Sequence, residues 1–188
     1  MNILVISQPK AGTYLCANIL VELGFVFNGL HIGKKTYQRY DLNNLQDSRL
    51  NPEKYTRKSK LLHTLNKLKK DEIALSHLPY KNKIRHDIKD FKKIYLYRDY
   101  NERLNSWNRW IEKTGRKDIF PNSMTKEYSE LMNNWTNEPN TFTLSFDDMR
   151  NKNFDKINQL QNFLFEKIKF DSKFIIHRSL KNPSLTKI

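Results

Sequence analysis

One cysteine, five glycines and six prolines are all that the 188 residues contain of the types that staple, hinge or break a chain. Cys16 alone cannot close an internal disulfide, which excludes a disulfide scaffold, and a single thiol also removes the thiolate sets of zinc sites. Among apolar neighbours in an expected helix, that thiol reads as buried and inert rather than as a nucleophile. His31, His63, His86 and His177 show no pair spaced for two ligands on one helical turn, so no metal site is expected. Long apolar runs are missing too: no segment reaches the length of a membrane span, and nothing at the start resembles a secretory leader. A cytoplasmic, reducing setting is the expectation, with the sequon Asn134-Trp135-Thr136 incidental. There is no internal repeat and no low-complexity tract.

Acid is scarcer than base. Asp and Glu number 20 against 34 Lys and Arg, a formal charge of +14 spread along the whole length. Such an excess favours a polyanionic partner, whether nucleic acid, anionic membrane, acidic glycan or charged nucleotide, and a solvated lysine-rich surface accounts for it equally well. The length suits one domain, residues 1–188, with a full core.

What the chain does have is concentrated at its start. Ile3-Leu4-Val5-Ile6 is an unbroken β-compatible apolar run, as in a strand covered on both faces. Beyond Ser7-Gln8-Pro9-Lys10-Ala11-Gly12-Thr13, the apolar residues Leu15, Ile19, Leu20 and Leu23 follow a helical period that stops at Gly24. A strand, tight turn and helix in this order aim the free backbone N–H groups of the helix start at the turn, where anions bind. Gly12 admits a phosphate close to the backbone, Lys10 adds a cation and Thr13 a hydroxyl. The common nucleotide-triphosphatase loop has Lys directly after the glycine, whereas Lys10 precedes Gly12 by two, and a plain connector remains the alternative.

Further along, Phe25-Val26-Phe27 suggests a short strand, and residues 28–60 read as loop with one short helix. Leu61, Leu62, Leu65 and Leu68 form a helical stripe; Ile73-Ala74-Leu75 is a second strand ending in Ser76-His77-Leu78-Pro79. Ile94-Tyr95-Leu96-Tyr97 is a third, followed by Arg98 and a helix over 101–113 with an Asp99/Glu102 capping box and Leu104, Trp107 and Ile111 inward. Ser106 lies eight residues past Arg98, off that stripe, so both can face one crevice. Residues 114–123 read as loop, 125–135 as a helix with Tyr128, Leu131, Met132 and Trp135 inward, and 141–146 as a fourth strand. Asp147 and Asp148 at its end suit either a helix start or a magnesium site. The last helix covers 154–168 with Ile157, Leu160, Leu164 and Ile168 inward, and the tail from Phe174 is basic and weakly patterned.

Strands alternating with helices predict an α/β fold: a mostly parallel central sheet of about four to five strands with helices on both faces. Lys10, Thr13, His77, Arg98 and Ser106 then gather at the sheet edge where open α/β folds bind ligands.

Taken together, these motifs resemble the sulfotransferases that use 3′-phosphoadenosine 5′-phosphosulfate. Pro9-Lys10-Ala11-Gly12-Thr13-Tyr14 is similar to that family's P-K-[SA]-G-[TS]-[TS] turn for the 5′-phosphosulfate, and Arg98 with Ser106 matches its strand-end Arg and helical Ser for the 3′-phosphate. Ser76-His77-Leu78-Pro79 resembles the T-H-L-P segment of the catalytic base, and Ser145-Phe146-Asp147-Asp148-Met149 the Y-E-D-[LM] strand end. The resemblance implies a single sulfotransferase-like domain with a P-loop nucleoside-triphosphate-hydrolase-like fold. It implies a sulfuryl donor that leaves as 3′-phosphoadenosine 5′-phosphate (PAP), no metal, and structural roles for Asp147 and Asp148. Lys10, His77 and Ser106 would be catalytic, while Lys10, Ala11, Gly12, Thr13, Tyr14, Arg98 and Ser106 would hold the donor. Departures are Tyr14 for the second hydroxyl of the turn, Leu15 for an adenine-stacking Trp, and no C-terminal R-K-G element, for which Arg178 and Lys181 would substitute. The acceptor would be a small molecule or glycan bearing a hydroxyl (sugar, phenol or lipid headgroup); Tyr37, Tyr40, Tyr55 and the loop 114–123 are either its pocket or plain surface. No specific nucleic acid is expected, and peripheral membrane contact stays open. A nucleotide or small-molecule kinase and a basic RNA-binding module are the competing readings.

Overall fold

The structure, a computed structural model, describes residues 1–115 and 121–182, the Arg49 side chain excepted. Its elements are, in order, β1 (Ile3–Ser7), α1 (Thr13–Glu22), β2 (Val26–Ile32), β3 (Thr36–Arg39), α2 (Leu45–Leu50), α3 (Pro52–Tyr55), β4 (Thr56–Lys58), α4 (Leu61–Leu65) and β5 (Glu72–Ser76). There follow α5 (Asn82–Asp87), β6 (Lys92–Tyr97), α6 (Tyr100–Thr114), α7 (Lys126–Asn133), β7 (Thr141–Ser145), α8 (Phe146–Arg150), α9 (Phe154–Phe165) and α10 (Ser172–Lys181).

β1 is buried along its whole length because neither of its faces meets water. Side chains alternate across a strand, so Ile3 and Val5 enter a core with Cys16, Ile19 and Leu20 of α1, Leu160 of α9 and Ile176 of α10. Leu4 and Ile6 enter a second core, on the other face, with Leu61, Leu65, Ile84, Met132 and Trp135. A strand between two cores has no polar face to show, hence the unbroken apolar run. Burying a side chain of this size contributes about 1.5–3 kcal/mol, so β1 is the strand the fold can least afford to lose.

The sheet has seven strands in the order β4-β3-β2-β5-β1-β6-β7, more than the four to five expected. Contacts from β2 through β7 are parallel, whereas β3 and β4 add an antiparallel edge within the stretch expected to be loop. Their sequences, TYQR and TRK, are half-buried at most, so no alternation of apolar and polar residues marks them. β2 runs past Phe27 to Ile32 through an irregularity at Gly29. There φ is +79°, and a Cβ would lie 2.2 Å from the Tyr40 carbonyl oxygen, so only glycine lets the returning chain pass this close.

Other boundaries also moved. α4 stops at Leu65 with Leu62 exposed, and α9 stops at Phe165, leaving Ile168 53% exposed. Leu104, Trp107 and Ile111 of α6 are only half-buried; the residue that α6 buries is Arg103. Asp99 accepts the Glu102 N–H at 3.0 Å, but the Glu102 carboxylate turns to Arg98 instead of closing the box. The weakly patterned tail forms α10, whose Ile175 and Ile176 pack beside α1. Of the loop expected at 114–123, residues 116–120 lie outside the described ones.

The parallel register brings the candidate segments together. Ile6 pairs with Ser76, Ser7 with Leu96 and Tyr97 with Ser145. The turn after β1, His77, Arg98 and Phe146 therefore leave the sheet at one edge, the carboxyl ends of its strands.

Candidate active site

The turn after β1 is shaped by two left-handed residues, Lys10 (φ 63°) and Gly12 (φ 86°), and Gly12 is the N-cap of α1. A Cβ on Gly12 would meet Phe146 Cδ2 at 2.6 Å, so the position needs glycine for space as well as for φ. α1 begins with no side-chain cap and no acidic residue in its first turn. Its leading N–H groups and the positive end of its dipole are thus left for a ligand.

Side chains tie the neighbouring strand ends to this turn. Ser7 Oγ lies 2.7 Å from Thr13 Oγ1 and 3.1 Å from His77 Nδ1. His77 Nδ1 also lies 2.7 Å from the Ser7 carbonyl oxygen, which can only accept, so Nδ1 carries the proton and Nε2 is the basic nitrogen. The Tyr128 hydroxyl donates to the His77 carbonyl at 2.9 Å, and Trp135 Nε1 to that of Leu78 at 3.0 Å, which fixes the segment. The imidazole pKa lies below its ordinary value: protein crowded around the ring disfavours the charged form, and Lys10 and Arg103 add to this against the Ser7 hydrogen bond. The residue still presents an exposed surface to the cavity beside it.

Arg98 is held on three sides. Its Nε donates to Glu102 Oε2 at 2.8 Å, one Nη donates to the Lys10 carbonyl at 3.4 Å, and its Cζ sits 3.9 Å from the centroid of the Phe146 ring. Phe146 is set by the capping box of α8, in which Ser145 and Asp148 exchange hydrogen bonds. Asp148 is therefore a helix-start residue, and no group of three or more His, Cys, Asp or Glu placed to hold a metal occurs among the described residues.

These groups surround one cavity of about 830 Å³. Lys10, Gly12, Thr13, Tyr14, His77, Arg98 and Ser106 all line it, whereas Ala11 is buried in the core beneath the turn. Arg178 and Lys181 do not line it: Arg178 pairs with Glu22 at 3.1 Å, and Ser179 and Leu180 are what α10 contributes. Sequence reasoning missed Trp107, Arg109, Trp110 and Lys113 of α6 as lining residues, together with Arg150 of α8. A signal was there, because Ser106, Arg109, Trp110 and Lys113 recur at the spacing of one helix face. Lys10 Nζ lies 4.6 Å from the Trp110 ring centroid and 5.6 Å from that of Trp107, a cation resting on two indoles. Five cations and no carboxylate line the cavity among the described residues.

A smaller space of about 230 Å³ adjoins it, between the β2–β3 hairpin and Ser76–Pro79. His31, Gln38 and His77 line both, so His77 stands where the two meet. Tyr37 lines the smaller space and Tyr40 the larger; Tyr55 lines neither but packs on Tyr40. Tyr14 Oη is 2.8 Å from His31 Nε2, a link between the turn and the hairpin.

A turn with free helix N–H groups, several cations around one cavity and a histidine between two spaces fit a phosphorylated nucleotide beside a second substrate. A model of the sulfotransferase domain matches residues 1–184. Among solved structures, retinol dehydratase in complex with androsterone and the inactive cofactor PAP has 14% identity, with 95% of this chain and 64% of that one covered and a TM-score of 0.61. Mouse sulfotransferase SULT7A1 complexed with PAP has 13% identity, with 95% and 64% covered and a TM-score of 0.58. The sulfotransferase domain from the curacin biosynthetic pathway has 14% identity, with 99% and 80% covered and a TM-score of 0.59. At such identities the likeness is one of fold, and this chain spans 64% of the length of the first two. No curated protein sequence matches the chain.

Proposed function

The chain belongs to the sulfotransferase domain family, and from that premise we propose that it moves a sulfuryl group from 3′-phosphoadenosine 5′-phosphosulfate to an acceptor hydroxyl. The observation that carries this reading is that Lys10 and Arg98 line the same cavity, together with the uncapped start of α1 and His77. The residues present fit the donor: the turn offers backbone N–H groups and a cation for one anionic end, and the cavity holds further cations for a second. When bound, the donor supplies an activated sulfuryl group and a phosphate leaving group.

The chain's own groups then do the following. Lys10, the α1 N–H groups and Thr13 hold the 5′ end and stabilise the charge that builds on it. Tyr14, tied to His31, occupies the last position of the turn. Arg98 and Ser106 hold the 3′-phosphate through charge-assisted hydrogen bonds. His77, with Nδ1–H committed to Ser7, takes the acceptor's proton at Nε2, and its lowered pKa keeps that nitrogen unprotonated near pH 7. Positioning and fixed charge supply most of the rate in such an in-line displacement. The acceptor approaches His77 from the smaller space, whose volume suits a compact hydroxyl compound such as a sugar or phenol.

A thermal-shift screen of PAP against AMP, ADP and ATP, each with and without Mg²⁺, tests the reading. At a hundredfold excess over Kd a ligand adds about 2.7 kcal/mol, or roughly 5–10 °C for a chain of this size. PAP should give that shift without Mg²⁺. An ATP shift that requires Mg²⁺ would favour the kinase, and no nucleotide effect alongside steep salt-dependent RNA binding would favour the RNA module.

A further inference from the structure

Arg103 is the cation of α6 that does not line the cavity and that the chemistry above does not use. Its side chain is fully buried. One Nη donates to the Pro9 carbonyl at 3.4 Å, the other donates to Ser129 Oγ, and Nε has no hydrogen-bond partner. Among the described residues no carboxylate forms an ion pair with it; Asp99 acts on it only at longer range, and the Tyr100 ring centroid is 5.6 Å from its Cζ. It also occupies the opening turn of α6, where the helix dipole disfavours a cation. A buried charge without a counter-ion is unfavourable, and replacing such a group by an apolar residue is often stabilising. Burial and dipole thus both oppose this residue in the resting fold, yet its guanidinium reaches the residue that leads into Lys10.

We propose that Arg103 is a positioning residue of the donor site, a role that rests on the donor reading above: it holds the Pro9–Tyr14 turn from beneath through the Pro9 carbonyl and supplies a counter-charge for the anion seated there. Lys10 is half-buried and in part screened by salt, whereas a fully buried guanidinium acts through protein and keeps its reach at high ionic strength. The same charge bears on His77. Ser7 of β1 bonds that ring, Tyr128 of α7 bonds the His77 carbonyl, and His31 of β2 lines the same spaces; the charged groups acting on the ring, Lys10 from the turn and Arg103 from α6, both favour the neutral imidazole.

Two variants of the full chain, Arg103→Met and Arg103→Lys, separate charge from scaffold. Calorimetric titration with PAP reads the first role, and NMR titration of the His77 imidazole without ligand reads the second. The Met variant should bind PAP about tenfold more weakly, and its His77 pKa should rise relative to the wild type while staying below the ordinary value, since burial of the ring remains. Its thermal stability without ligand should be unchanged or higher. The Lys variant should restore the His77 titration but, without the fork to Pro9 and Ser129, only part of the PAP affinity. A folded Met variant with wild-type PAP affinity and wild-type His77 titration overturns the proposal. If the Met variant does not fold, Arg103→Gln takes its place: wild-type PAP affinity with wild-type His77 titration overturns the proposal, and weaker PAP binding with a raised His77 pKa supports it. If the wild-type chain binds no PAP, the donor reading fails, while the His77 titration, which needs no nucleotide, still decides whether Arg103 acts by charge.

Discussion

Gly12→Ala is the substitution that loads the site most heavily with the fewest atoms. The new Cβ would stand 2.6 Å from Phe146 Cδ2 and 3.2 Å from Met149 Cε, and φ at this position is +86°. The left-handed backbone costs an alanine about 1–2 kcal/mol, and a methyl forced against a packed ring costs about 1–3 kcal/mol more. The sum, about 2–5 kcal/mol, corresponds to roughly 4–20 °C in Tm at this chain length. The damage should also reach the ligand, because the ring that must yield is the one on which Arg98 rests, 3.9 Å from its Cζ. Loss of that cation–π support is worth about 0.5–2 kcal/mol, a two- to thirtyfold weaker hold on PAP. Urea unfolding measures the first effect and calorimetric titration of the folded variant the second. A Gly12→Ala protein within 0.5 kcal/mol of wild type (roughly the scatter of surface substitutions), with unchanged PAP affinity, would refute the packing of Gly12, Phe146 and Arg98 described above.

His77→Ala should lower the transfer rate by about 10²–10⁴ against a panel of phenol and sugar acceptors, with PAP affinity retained. The wild-type rate should fall on the acid side only, with a midpoint below the ordinary histidine value, because a depressed pKa keeps the ring neutral at pH 7 and protonation removes the base. The same group makes stability present above its unfolded pKa and lost as pH falls through the lower folded one, which urea titrations across that window check. Ser145→Ala removes the hydroxyl half of the α8 capping box and should cost about 0.5–2 kcal/mol in equilibrium unfolding.

The turn after β1 was legible in the sequence because its signal is local: an apolar strand, a glycine two residues past a lysine, and a helical period. Its place beside His77 and Arg98 followed from parallel strand order, since each residue closely follows the end of its own strand. The antiparallel edge was not legible, because Thr36–Arg39 and Thr56–Lys58 are short, largely polar and without a buried face to impose alternation. Arg103 was hidden for a different reason. Its residue type is ordinarily a surface one, and only three-dimensional packing puts it under Pro9 while leaving the apolar neighbours Leu104 and Ile111 half-exposed. α10 read as a tail because its buried residues, Ile175, Ile176 and Ser179, sit among exposed Lys173, Phe174, His177 and Arg178.

The central claim is that Lys10 and Arg98 hold opposite ends of one bisphosphorylated adenosine. Calorimetric titration of wild type, Lys10→Met and Arg98→Met with PAP and with AMP tests it most directly. Arg98→Met should abolish the preference for PAP over AMP, while Lys10→Met should weaken both nucleotides and leave that preference in place. Equal losses for PAP and AMP in the Arg98→Met protein, or a wild-type chain that does not distinguish the two nucleotides, would contradict it.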